Sequence, residues 1–389
     1  MTPQAVNIIT RTFRALLIAA VPALGACSSA ADAPDMPAGD TAPACSIGLY
    51  VRLGDGEPAS RTTPDDGSYA SGTTGENYID LDGDTPDMRL YAFTTDNRLI
   101  REFDGPEITP TSSSPTSKTY ELKFNVDRDF YDSYSGKSFK IMMLANWRRY
   151  PDSSKLVPGT TTIDDITTAA EATSDIRGFG GCPGPYITGE QRIPMFGIAQ
   201  YDKITLVPNM LVMLGDLHLL RAYAKIEVYD DAASDDTLTG VSLNRHNVRS
   251  AMAPRGVYHQ DDYVKHSYND DYAATLTVPD ASETSDALAM VRDSVSGHFI
   301  VYVPEYRNTG RSDGERARLL LHYKFGEKFY ADFKYYQNPA PGSAVGDAFD
   351  IRRNYWYKYE IKRNGTTIQL TADVLPYGTV KLEPSFGLD

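Results

Sequence analysis

Cysteine and histidine are both scarce in this chain, and their scarcity closes off several kinds of chemistry. Only three of the 389 residues are Cys, namely Cys27, Cys45 and Cys182. Two thiols besides Cys27 do not make a disulfide framework. The six histidines, His218, His246, His259, His266, His298 and His322, show no metal-ligand spacing. No Gly-x-Ser-x-Gly elbow occurs, and the glycine-rich stretch 178–184 lacks the Lys-Ser/Thr that would complete a phosphate loop. Asp80, Asp82 and Asp84 have calcium-loop spacing. However, Thr85 stands at the sixth position in place of glycine, and Tyr91 stands at the twelfth in place of Glu. Asp and Glu are plentiful, so counting alone leaves open a glycosidase's carboxylate pair; the many tyrosines suit sheet faces better than sugar binding. The expectation is a non-enzyme without cofactor or metal. An excess of positive charge is missing too: the net charge of −14 argues against nucleic acid or an anionic membrane surface as partner.

Long apolar runs are absent after residue 27. Before it, Arg11 and Arg14 precede a short apolar stretch, 15–24, interrupted by Pro22. That stretch is too short to span a bilayer as a finished helix and reads as an export signal. It ends in Leu24-Gly25-Ala26-Cys27 followed by Ser28 and Ser29. Small residues directly before a cysteine resemble the bacterial lipobox, which makes Cys27 the lipidation site and the mature N-terminus. Each buried acyl methylene adds about 0.8 kcal/mol of anchoring. Residues 28–44, rich in Ala, Asp, Pro and Ser, form a flexible stalk.

What the chain does have is strand alternation. Ile47, Leu49, Val51 and Leu53 fall on one face of a strand over 45–53. Near the other end, Val380, Leu382, Phe386 and Leu388 do the same across 379–388, with Pro384 on the apolar phase although it cannot donate to a ladder. Residues 54–75 are polar, rich in Gly, Ser, Thr, Pro and Asp, and contain Arg61, with Arg52 just upstream; such an exposed loop invites proteolysis. Further strands are expected at 88–93, 119–126, 139–147, 204–214, 220–228 and 298–303. The run Ile141-Met142-Met143-Leu144-Ala145 predicts a strand covered on both faces. Residues 160–170 predict a short helix with Thr162 as N-cap and Asp164 and Asp165 in its first turn. Residues 281–295 predict another. Two hairpins follow, one turning at Gly326-Glu327 and one at Asn364-Gly365. Many short strands with little helix give an all-β, β-sandwich fold class, and about 360 mature residues suggest two domains.

Several stretches together resemble the fimbrillin family of the Bacteroidales, the lipoprotein-derived type V pilins. They are Arg61-Thr62-Thr63-Pro64, Glu76-Asn77-Tyr78-Ile79-Asp80 leading into Leu90-Tyr91-Ala92-Phe93, Leu144-Ala145-Asn146-Trp147, Ile193-Pro194-Met195-Phe196-Gly197, Leu219-Leu220-Arg221-Ala222-Tyr223-Ala224-Lys225-Ile226, Val303-Pro304-Glu305-Tyr306, and Ile351-Arg352-Arg353-Asn354-Tyr355. The resemblance implies two tandem transthyretin-like β-sandwich domains with a few short helices. It divides the chain into a signal peptide (1–26), a lipidated pro-segment with a removable strand (27–61), an N-terminal sandwich (62–214) and a C-terminal sandwich with a terminal donor strand (215–389). It further implies export as a lipoprotein to the outer membrane and trimming by an arginine-specific protease. The cut is placed after Arg61, with Arg52 second because that bond lies inside the alternating strand. The C-terminal strand of the next subunit would then fill the vacated groove and place the chain in a cell-surface fimbrium. Cys45 and Cys182 could pair in an oxidising compartment, but such a bond would tether the removable strand after cleavage, so free thiols are favoured. The alternatives are a non-polymerising surface lipoprotein that binds glycan or host protein, and an anchor or tip subunit of the same fimbrium.

Overall fold

In the computed structural model, alternation decides which segments pair and which face of each is buried. The structure describes residues 44–53, 87–113, 118–147, 150–171, 193–230, 238–248, 251–254 and, with short gaps, 283–376. The first eight strands are β1 (Cys45–Leu53), β2 (Met88–Phe93), β3 (Leu99–Phe103), β4 (Glu107–Ser113), β5 (Lys118–Val126), β6 (Lys137–Ala145), β7 (Met195–Ile204) and β8 (Leu211–Arg221). They hydrogen-bond in the order β3-β2-β6-β7-β8-β1-β5-β4. β8 serves two layers: Leu211 to Leu219 runs beside β1, while Leu220 and Arg221 pair with Phe196 and Met195 of β7. The sheet therefore folds over on itself. Its core packs Ile47, Leu49 and Val51 and their neighbours on β5 against Leu90, Ile141 and Met143.

From Tyr223 onward the chain builds other sheets. These strands are β9 (Tyr223–Asp230), β10 (Leu238–Leu243), β11 (Phe299–Pro304), β12 (Arg318–Tyr323), β13 (Lys328–Asp332), β14 (Tyr355–Asn364) and β15 (Thr367–Pro376). β11, β9, β14 and β15 form one layer, edged by Val291–Arg292; β10, β12 and β13 form the facing one, edged by Leu288–Ala289. Ile226, Val301, Tyr357, Leu319 and Leu321 fill the space between. The molecule is thus all-β, built of two sandwiches with few, short helices.

The apolar run in β6 is explained by these layers. Ile141 and Met143 point into the first sandwich, while Met142 and Leu144 join a separate cluster with Tyr91, Phe196, Tyr223, Ile300 and Tyr302. That cluster joins the two sandwiches, and helix α2 (Ile163–Glu171) adds Ile163 and Ile166 to it. Thr162 caps α2 as its sequence predicts: Asp165 N–H donates to Thr162 Oγ1 (3.2 Å), and Thr162 N–H donates back to Asp165 Oδ2 (2.9 Å). α1 (Arg128–Tyr134) starts on Asp127, which accepts from Phe130 N–H at 2.9 Å.

Some local expectations are corrected. Residues 281–295 hold no helix among those described. Glu283–Thr284, Leu288–Ala289 and Val291–Arg292 each pair with a neighbouring strand, because exposed ladder edges satisfy their backbone better than a weakly patterned helix could. The strand expected at 204–214 is split by a turn in which Asn209 has φ +57° and Met210 N–H donates to Val207 O. The strand expected at 220–228 breaks at Ala222, where the chain passes from one sandwich to the other. The ladder of the second hairpin closes at Asn364↔Thr367, one residue beyond the expected turn.

Candidate functional site

Strand β1 occupies an interior position in its sheet, although it is the first of the described strands. It pairs antiparallel with β5 over its whole length, from Cys45↔Val126 to Leu53↔Lys118. On its other edge it pairs in parallel with β8, from Ser46↔Leu211 to Leu53↔Leu219. Both edges of its backbone are therefore engaged. Ser46 N–H donates to Met210 O at 3.0 Å, and Ala44 O accepts from Asn209 N–H at 2.8 Å.

The side chains follow the alternation read from the sequence. Ile47, Leu49 and Val51 are fully buried and Leu53 is nearly so. They face Phe124, Leu122 and Tyr120 of β5 and Val212, Leu217 and Leu219 of β8. Burying four such aliphatic groups contributes about 6–12 kcal/mol gross, and each ladder bond adds about 0.5–1.5 kcal/mol net. Ordering the segment offsets part of this, at about 1–2 kcal/mol per residue. Taken away, β1 would leave a slot floored by these apolar groups and walled by two unpaired strand edges.

The outer face of β1 is more polar. Arg52 Nε lies 2.8 Å from Asp216 Oδ1, and Ser46 Oγ donates to Asn125 Oδ1 at 2.8 Å. Gly48 is buried because Met213 lies over it; a Cβ there would meet the Met213 sulfur and push that half-exposed side chain outward. Beyond Gly48 the ladder with β8 skips: Gly48 pairs with Met213 but Tyr50 pairs with Asp216, so β8 bulges opposite Leu49. Gly215, within that bulge, has φ +114°, a conformation that favours glycine. The Gly215-Asp216 pair interrupting an apolar run is the signal from which the bulge could have been read.

Cys45 opens β1 as a buried free thiol, and burial pushes its pKa up to about 11. Arg52 lies within the strand, paired on both sides with Thr119 and His218, so its peptide bond is held in the sheet. Arg61, Cys27 and Cys182 lie outside the described residues, as do the donor-strand positions Val380, Leu382, Phe386 and Leu388; the described chain ends with the edge strand β15. The structure thus brings together the removable-strand residues and Arg52 only.

The second sandwich carries buried ionic groups that sequence reading did not single out. Glu227 and Lys225 stand 3.7 Å apart on β9, His298 Nδ1 contacts the other Glu227 oxygen, and Lys225 Nζ sits 4.7 Å from the centre of the Trp356 ring. Burial alone would raise the Glu227 pKa, but Lys225 and His298 overcome it and hold the carboxyl down at about 2. At the junction of the sandwiches, Arg353 donates to Glu305 Oε2 (2.8 Å), Met252 O (3.1 Å) and Ala251 O (2.8 Å). Arg221 donates to Asn354 Oδ1 at 3.0 Å.

Compared with known proteins, the chain matches no family model and no curated protein. Solved structures do match in fold. The tip fimbrial protein Mfa3 from Porphyromonas gingivalis, with a C-terminal truncation, aligns over 85% of this chain and 100% of its own at 13% identity, with a TM-score of 0.50. A fimbrial assembly protein from Parabacteroides distasonis aligns over 84% of this chain and 95% of its own at 14% identity, with a TM-score of 0.44. At 13% identity the likeness to the tip fimbrial protein is one of fold.

Proposed function

We propose that this chain is a structural subunit of a cell-surface fimbrium that polymerises head to tail by exchanging β1 for a strand of the next copy. The observation that carries this reading is the place of β1. A strand at the N-terminal side of the chain, with an apolar inner face, is inserted between two strands that follow it far along the sequence. Its departure would open a full-length acceptor slot without cutting any other element. The shared fold with a fimbrial tip protein supports the same assignment.

In this reading residues 1–26 direct export, Cys27 carries the lipid at the outer membrane, and 27–61 form the pro-segment. An arginine-specific protease cuts after Arg61. Arg52 is the poorer site, since its bond can reach a protease only when β1 has left the sheet. The N-terminal domain carries the groove, and the C-terminal domain, expected from 215 and taken here from Ala222 because β8 runs through Arg221 in the first sheet, supplies the donor segment with Val380, Leu382, Phe386 and Leu388. A strand added to a sheet gains main-chain hydrogen bonds, and side-chain pockets set its specificity. A head-to-tail contact of this kind, if it does not close, gives a filament. The role is structural rather than catalytic.

Treatment of the purified full-length precursor with an arginine-specific protease tests this. Cleavage after Arg61 followed by ladders on an unboiled denaturing gel is expected, and Arg61→Ala should suppress both. A chain that is cut at Arg61 yet stays monomeric would overturn polymerisation and favour a surface-binding lipoprotein.

A further inference from the structure

The groove discriminates between the two directions in which a strand could enter it, and this inference rests on the strand-exchange reading above. β1 has one antiparallel neighbour, β5, and one parallel neighbour, β8. An incoming strand of either direction therefore gains one pairing of each kind. The inward positions of β1 are Cys45, Ile47, Leu49, Val51 and Leu53. The segment 380–388 has the same length and the same alternation, with Val380, Leu382, Pro384, Phe386 and Leu388 in phase. When all inward positions are filled, Pro384 takes the place of the central Leu49 in either direction.

What differs is where the backbone of Pro384 faces. Within the strand, Ser46 gives its N–H to Met210 O on the β8 side. Successive residues of a strand turn their N–H and C=O groups to alternate sides, so Leu49 addresses β5. A donor running the same way as β1 would set Pro384 against Leu122, in the middle of an unbroken register. The buried Leu122 carbonyl would then lose its donor. A donor running the opposite way keeps its apolar face inward but exchanges its two edges. Pro384 then faces β8 at the bulge, where the ladder already skips between Met213 and Asp216 and Gly215 has φ +114°. A residue without an N–H belongs at such a break.

We propose that residues 380–388 of one copy enter the groove of the next antiparallel to the departed β1, with Pro384 in the Leu49 position facing the β8 bulge. The outer face supports this direction independently. Lys381 takes the place of Arg52 and meets Asp216, the carboxylate that Arg52 contacts at 2.8 Å; the other direction would put Gly387 there. Ser385, not the longer Glu383, meets Met213 at the Gly48 position. One outer contact opposes this direction: Glu383 replaces Tyr50 opposite Glu121, a like-charge pair that Lys123, 3.2 Å from Glu121, offsets in part.

Cysteine cross-linking in assembled polymer reads the direction. Thr119 is the β5 partner of Arg52, and Asn125 is the β5 partner of Ser46. In the full-length chain carrying Cys182→Ser, two double variants are trimmed and assembled: Lys381→Cys with Thr119→Cys, and Lys381→Cys with Asn125→Cys. Ladder formation before oxidation shows that each variant folds and assembles. Oxidation should link subunits in the first and not in the second, because only directly opposed Cα atoms come within disulfide range. Linkage in the second alone overturns the direction. Linkage in neither, with ladders intact, overturns the register while sparing the polymer reading; absence of ladders from the unmutated chain overturns both. As a second readout, Pro384→Leu should change the elongation rate by less than about twofold. A gain of about tenfold, as for one restored buried hydrogen bond, would place Pro384 against Leu122 and overturn the proposal.

Discussion

Leu49 is fully buried at the centre of β1, and Arg52, three positions on, faces outward beside Asp216. The two positions differ in what they contribute to the folded chain. Leu49→Ala removes apolar contact and opens a cavity, which should cost about 2–5 kcal/mol in urea unfolding. Arg52→Ala removes a partly exposed ion pair and should cost no more than about 1 kcal/mol. Glu227 is a different case, because its charge is the buried element. Its carboxyl is held at about 2, below the 4.5 of the free side chain. A depressed carboxylate stabilises the fold fully above its unfolded pKa and loses that contribution as pH falls. Wild-type urea midpoints should therefore decline as pH is lowered from 4.5 towards 2. Glu227→Gln should flatten that limb. It should also lower stability near neutral pH by about 3–5 kcal/mol, since it removes the carboxylate beside the buried Lys225. The inner face of β1 was legible in the sequence as alternation. The Glu227 cluster was not, because Lys225 and Glu227 alternate outward as though solvated and only packing shows that they are buried.

At the scale of elements, β1 and the segment 379–389 are assigned complementary roles. Deleting 379–389 should leave the monomer folded, with its thermal midpoint within a few degrees, while ladders no longer form after trimming. Continued elongation of the deleted chain would show that the donor lies elsewhere. The sequence revealed β1 through its period of two and α2 through Thr162 and the acids that follow. It did not reveal that β1 lies between β5 and β8. Alternation tells a strand which face is buried but not which strands will flank it, and a parallel neighbour so distant in sequence leaves no local trace. The short helix expected at 281–295 failed for the same reason: edges supplied by other segments captured the backbone of three short stretches.

Among the described residues, the two sandwiches meet through an apolar cluster and through buried polar contacts made by Arg353 and Arg221. Arg353 is fully buried and donates to Glu305, Ala251 and Met252. Arg353→Met takes the buried guanidinium away from the Glu305 carboxylate, and should cost about 3–5 kcal/mol. Calorimetry should show the loss, with the single transition expected of the wild type broadening or splitting as the sandwiches uncouple.

By itself the sequence determined the all-β character, the inner faces of the principal strands and the apolar match between 45–53 and 380–388, because a strand's period depends only on its own residues. Only the tertiary structure decided that β1 is an interior strand, that β8 bulges opposite Leu49, and that the sandwiches share the outer face of β6. Those facts arise from which distant backbone edges find each other, and pairing across a sheet is settled by the packing of the whole core.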